Sequence, residues 1–122
     1  MPSGRQILYP SAATTATHSL GPFGNNNAKG VILLVDVTAE TDTASVTPSI
    51  QAQDGNSDWV DIWTAAAAIA ATGNYSYCLY PAAINGNFTE VDGMPLPTDF
   101  RITFTHADAD SLTYSVTVLW LK

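Results

Sequence analysis

From Leu112 to Trp120 the chain alternates. Leu112, Tyr114, Val116, Val118 and Trp120 occupy one parity, and Thr113, Ser115 and Thr117 fall on the other. A period of two belongs to a strand, whose successive side chains leave opposite faces, and it cannot line up one face of a helix. The same alternation runs through Phe100-Arg101-Ile102-Thr103-Phe104-Thr105-His106. Between them lies the polar, turn-rich stretch Ala107-Asp108-Ala109-Asp110-Ser111. Two alternating runs with a short polar connection predict a β-hairpin.

The remaining segments read the same way. Val31-Ile32-Leu33-Leu34-Val35-Asp36-Val37-Thr38 is apolar at both parities, which predicts a central strand buried on both faces at its start. Ser45 to Gln53 alternates strictly, with Val46, Pro48, Ile50 and Ala52 on one face, and Pro48 places it at an edge or a bulge. The turn Asp54-Gly55-Asn56-Ser57 leads to a hairpin partner, Trp59 to Thr64, and Tyr75 to Tyr80 reads as a further strand. Ala65 to Ala71 is open between a short helical turn and a small-residue strand, because seven residues are too few to sustain a helix alone. Glu90 to Thr98 is an extended linker whose prolines disfavour helix. Residues 1–30 differ. Short β-prone pieces, Gln6–Tyr9 and Ala16–Leu20, each stop at a proline (Pro10, Pro22), and a polar loop follows at Gly24-Asn25-Asn26-Asn27. They read as an N-terminal arm or as edge strands ahead of a domain over residues 31–122. Roughly seven or eight short strands with turns throughout predict an all-β single domain, a β-sandwich of jelly-roll-like character.

Size and charge narrow the functions. With 122 residues the chain is one domain, and area scaling gives it a folded surface of ~6,300 Å². Charged residues are 12% of the chain, about half the usual ~25%, so Thr, Ser, Asn and Gln must supply the polar surface. Four Lys plus Arg against 11 Asp plus Glu give a net charge of −7. Such a chain neutralises few phosphates and is repelled by anionic lipid, which argues against nucleic-acid and membrane partners. The longest apolar stretch, Val31 to Val35, is far short of a bilayer span, and Met1-Pro2-Ser3-Gly4-Arg5 lacks a signal peptide's apolar core. Without a secretory route the sequons at Asn74 and Asn87 are chance matches.

No catalytic, metal-binding or cofactor-binding residues are expected. Cys78 is the lone cysteine, in a strand with no nearby cation to activate it, and reads as a packed thiol. Asp54-Gly55-Asn56-Ser57-Asp58 opens like a calcium loop, but Trp59 stands where the glycine should be and Ala65 where the bidentate Glu should be. Ordinary turn chemistry explains the same residues. His18 and His106 have no metal-ligand spacing, and no Gly-x-Ser-x-Gly elbow exists for a hydrolase. Trp59, Trp63, Tyr75, Tyr77 and Tyr80 concentrate the aromatics. At period two Trp59, Asp61 and Trp63 share a face, as core filling and subunit contact or as a platform for a sugar ring.

The order Gly30 to Ala39, Ile50-Gln51-Ala52-Gln53-Asp54, Trp63-Thr64 and Ala68-Ile69-Ala70-Ala71-Thr72-Gly73 resembles small virion proteins of tailed bacteriophages. Tyr80-Pro81, Met94-Pro95-Leu96-Pro97 and Phe100-Arg101-Ile102 extend the likeness over most of residues 30–121. The resemblance implies a structural, non-enzymatic role as a capsid decoration (cement) protein. Such proteins sit on the capsid exterior, often as homotrimers, and hold major capsid protein subunits together. On that reading the arm's Ile7, Leu8, Tyr9 and Phe23, with Trp59 and Trp63, are the expected partner-interface residues. The arm either adds as a strand to a neighbour or folds back onto its own sheet. The alternatives are a phage neck or tail component and a carbohydrate-binding module built on Trp59 and Trp63.

Overall fold

The computed structural model describes residues 5–25, 27–81 and 86–122, so Met1 to Gly4 of the arm and Asn26 of its polar loop lie outside the described residues. Nine strands follow in order: β1 (Arg5–Thr14), β2 (His18–Gly24), β3 (Gly30–Glu40), β4 (Val46–Gln53), β5 (Trp59–Thr64), β6 (Gly73–Leu79), β7 (Glu90–Asp92), β8 (Asp99–His106) and β9 (Leu112–Leu121). No helix occurs among the described residues. The strands form a five-stranded sheet, β1-β9-β3-β6-β7, packed on a four-stranded sheet, β2-β8-β4-β5. Pairing is antiparallel except between β6 and β7. The protein is a β-sandwich, with an accessible surface of 6328 Å².

The inner faces are those the alternation marks. Val31, Leu33, Val35, Val116, Val118 and Tyr114 from one sheet meet Ile50, Phe100, Ile102 and Phe104 from the other, all fully buried. Each such side chain contributes about 1.5–3 kcal/mol by leaving water. Ring pairs lock the layers together, with Phe104 and Tyr114 at 5.4 Å and Phe100 and Trp120 at 6.1 Å between centroids.

The expected C-terminal hairpin does not form. β8 lies in the four-stranded sheet and β9 in the five-stranded one, so the two most regular strands pack face to face instead of pairing edge to edge. Alternation fixes which face of a strand is buried but not which neighbour takes its backbone bonds. The connection over 107–111 is tied to the neighbouring one between β3 and β4. Thr41 N donates to Ser111 O, Ala107 N donates to Ser45 O, and the Thr43 hydroxyl lies 2.9 and 2.8 Å from the Asp108 and Asp110 carboxylates.

Proline placement brings further corrections. β4 is an interior strand despite Pro48. Ala65 N donates to Pro48 O, so the carbonyl, and with it the missing N–H, points to the side where β5 has already ended at Thr64. No ladder bond is forfeited. Pro10 and Pro22 do not end their strands either. Each sits where the register slips, between Tyr9 and Ala12 and between Leu20 and Phe23, on strands at the sheet edges. The segment before Gly30 thus lies along its own chain as two edge strands, β1 on β9 and β2 on β8. Ala65 to Ala71 is neither helix nor strand. It is a loop pinned by one bridge, in which Val46 N donates to Ile69 O and Ile69 N to Val46 O.

Candidate functional site

β3 reads as a strand buried on both faces, yet among the described residues only one face is covered. Val31, Leu33 and Val35 are in the core, whereas Ile32 and Leu34 are half-buried on the outer face of the five-stranded sheet. The ladder carries this apolar surface across the whole sheet. Arg5, Leu119, Ile32, Cys78 and Val91 stand opposite one another on β1, β9, β3, β6 and β7. In the adjacent row Ile7 stands opposite Thr117, which faces Leu34. Ile7 is 61% exposed, the most exposed large apolar side chain described. A depression of about 380 Å³ opens beside it, between Arg5, Leu34, Asp36, Ser76 and Ser115. Arg5 and Asp36 bring charge to the rim of the depression, while the row through Leu119, Ile32, Cys78 and Val91 carries none, as the centre of an interface does. Burial pushes the Cys78 thiol up, which keeps it protonated and inert.

The other expected contact residues are placed differently. Leu8, Tyr9 and Phe23 are half-buried and pack against the core of their own chain. Trp63 is 5% exposed, so it is a core residue that a partner or a sugar cannot reach. The cause is a bulge. Ile50 stands opposite Trp63 but Gln51 opposite Asp61, so Ile62 is an extra residue and the parity of β5 reverses there. Trp63 turns inward, against Tyr77 at 5.5 Å, and its Nε1 donates to Glu90 Oε2 at 3.1 Å. Burial, with the Glu90 carboxylate alongside, raises the Tyr77 pKa to about 12. Trp59 and Asp61 stay on the outer face of the four-stranded sheet. There the Arg101 guanidinium lies 4.4 Å from the Trp59 ring centroid. The shared face expected from the spacing is therefore not formed, and the alternative of a platform of two tryptophans goes with it.

The carboxylate-rich loops bind backbone. Asp54 Oδ1 accepts from the N–H groups of Asn56 and Asp58 at 2.8 and 3.0 Å, as an Asx-type turn does. Asp108 Oδ1 accepts from Asp110 N at 3.0 Å. No group of three or more His, Cys, Asp or Glu able to hold a metal occurs among the described residues.

The histidines, 88 positions apart in sequence, are brought to one hydroxyl. His18 Nε2 lies 2.6 Å and His106 Nε2 3.1 Å from the Tyr114 hydroxyl oxygen, where β2 and β8 face β9. His106 Nδ1 is buried with no hydrogen-bond partner among the described residues. A bare lone pair there costs less than an orphaned N–H, so His106 carries its proton on Nε2 and donates to Tyr114. Tyr114 then donates to His18 Nε2 along the shorter bond. Burial holds both imidazoles below their ordinary range; positive charge on His106 would lower His18 further, while Asp108 pulls His106 the other way. Sequence spacing carries no sign of this cluster, because sheet pairing assembles it. Its one local signal is that His18 lies on a β-prone piece and His106 ends a strand.

No described helix is long and apolar enough to cross a membrane. Comparison with protein-family models, with curated proteins and with solved structures found no match.

Proposed function

We propose that this protein works by contact rather than by bond-making, as a structural virion protein of the capsid-decoration type. The outer face of the five-stranded sheet is the surface it would lay against major capsid protein. One observation carries the reading: the most apolar strand, β3, has Ile32 and Leu34 on a face that the described residues leave uncovered. The resemblance to small phage virion proteins supplies the partner class. The compact two-layer core suits a clip that must be rigid before it binds, since preorganised partners lose less on association. The weakly charged, acidic chain suits the outside of a DNA-filled shell.

The test is addition of the purified protein to undecorated capsids. Stoichiometric saturation and increased resistance of the capsid to heat are expected. A variant carrying Ile7→Asp and Leu34→Asp, folded by circular dichroism, should lose binding by at least about a hundredfold, because it buries two unpaired charges. Absence of binding to both expanded and unexpanded capsids refutes the reading. Labelling in micrographs at the neck or tail would assign it to those structures instead.

A further inference from the structure

At the far end of the four-stranded sheet a cleft of about 550 Å³ opens between Pro22, Phe23, Gln53, Trp59, Pro97 and Asp99. We propose that this cleft is a binding site for a neutral saccharide, with the Trp59 indole as its stacking surface. The site is independent of the capsid-facing sheet, being built on β2, β4, β5 and β8.

The indole is held in place from behind. Arg101 covers the ring at 4.4 Å but is not among the cleft walls, so the cleft meets the indole elsewhere. Arg101 is itself fixed, its Nε donating to Gln51 Oε1 at 2.6 Å. Gln51 also accepts from the Thr103 hydroxyl at 2.9 Å and donates Nε2 to Asp61 Oδ1 at 2.8 Å, and Ser19 bonds Thr103 at 2.8 Å. This chain of side-chain bonds crosses all four strands. It leaves the tryptophan preorganised, which lowers the cost of binding.

The polar groups of the cleft select the ligand. Asp99 Oδ atoms and Trp59 Nε1 have no hydrogen-bond partner among the described residues, and Gln53 uses Nε2 on Ser57 O, leaving Oε1 open. Two acceptors and one donor beside an aromatic and two prolines match a ring that has hydroxyls on its rim and C–H groups on its face. An organic cation is disfavoured by the Arg101 guanidinium, which already lies 4.4 Å from the indole centroid and repels a second positive charge at the same ring. Phosphate is disfavoured by the Asp99 carboxylate.

The experiment is titration of the full chain with neutral tetrasaccharides of glucose, mannose, galactose and N-acetylglucosamine, following the indole N–H resonances. A saturable shift of Trp59 by at least one sugar is expected, with Trp63 and Trp120 unmoved. Trp59→Ala should weaken it by at least about tenfold. Asp99→Ala, at an exposed position outside the core, should do the same with the fold intact. The proposal is overturned if no sugar saturates below about 10 mM. It is equally overturned if binding survives Asp99→Ala in folded protein, or if choline or inorganic phosphate moves Trp59 where the sugars do not.

Discussion

Gly30 opens β3 where the chain runs hard against the end of β6. A Cβ built there would overlap the Leu79 carbonyl oxygen and lie 2.8 Å from Tyr80 Cα, both backbone atoms with little freedom to retreat. The residue is buried, and its neighbour Lys29 donates to Leu121 O, so the strand is fixed from the other side as well. Gly30→Ala should therefore cost about 2–3 kcal/mol, the upper part of the range for overpacking. Gly55, in the β4–β5 turn, has nothing within 4 Å of where an added methyl would sit, and Gly55→Ala should stay within about 0.5 kcal/mol. Urea denaturation midpoints of the two variants measure the contrast. Equal midpoints would show that the β3–β6 approach relaxes without cost.

At the level of strands, Glu90 on β7 links the two sheets along their β7 and β5 edges. Its Oε2 accepts from the buried Trp63 indole on β5, and its Oε1 from Ala66 N at 2.8 Å. Glu90→Ala leaves the indole N–H buried without a partner, a loss of about 1–3 kcal/mol. In a Trp63→Phe background the same change should cost about 1 kcal/mol less, since the donor is already gone, and a double-mutant cycle on denaturation midpoints reads the difference. Additive losses would mean that the bond contributes nothing. This link shows why only part of the fold is legible in the sequence. Faces are local properties, so the parity of β4, β8 and β9 marks the core correctly. Partners are not local: β8 and β9 carry the clearest pattern and yet lie in different sheets. Bulges are equally silent. The extra residue at Ile62 reverses β5 and turns Trp63, expected among the partner-interface residues, into a core side chain joined to Glu90. The apolar outer face is half-legible, because Ile32 and Leu34 declare a second buried face while nothing local says that the covering layer must come from elsewhere.

Across the whole molecule, the His18–Tyr114–His106 cluster closes one end of the sandwich, and its chemistry makes that closure depend on pH. His18 arrives on β2 and His106 on β8, from one sheet, and Tyr114 on β9 from the other. The groups packed around them are Tyr9 and Thr14 of β1, Phe104 of β8, the Thr17 hydroxyl that accepts from His106 N, and Asp108. A proton on His106 Nδ1 has no acceptor. A proton on His18 Nε2 takes away the acceptor of the Tyr114 hydroxyl, whose own pKa is pushed up by burial so that it stays a donor. Either event leaves a buried donor unmet, and the two imidazolium charges would also repel. Both histidines therefore titrate lower in the folded chain than in the unfolded one. Over that interval the unfolded state binds more protons, so stability is full above the unfolded value of about 6.5 and is lost as pH falls through it toward the depressed folded values. The thermal midpoint should fall between about pH 7.5 and pH 5.5, above the ordinary range of carboxylates. A variant with His18→Gln and His106→Gln keeps an acceptor and a donor for Tyr114 without a titrating group. It should start from a lower midpoint yet hold it constant across the same interval. A decline as steep as that of the parent chain would place the proton uptake elsewhere and remove the cluster as its cause.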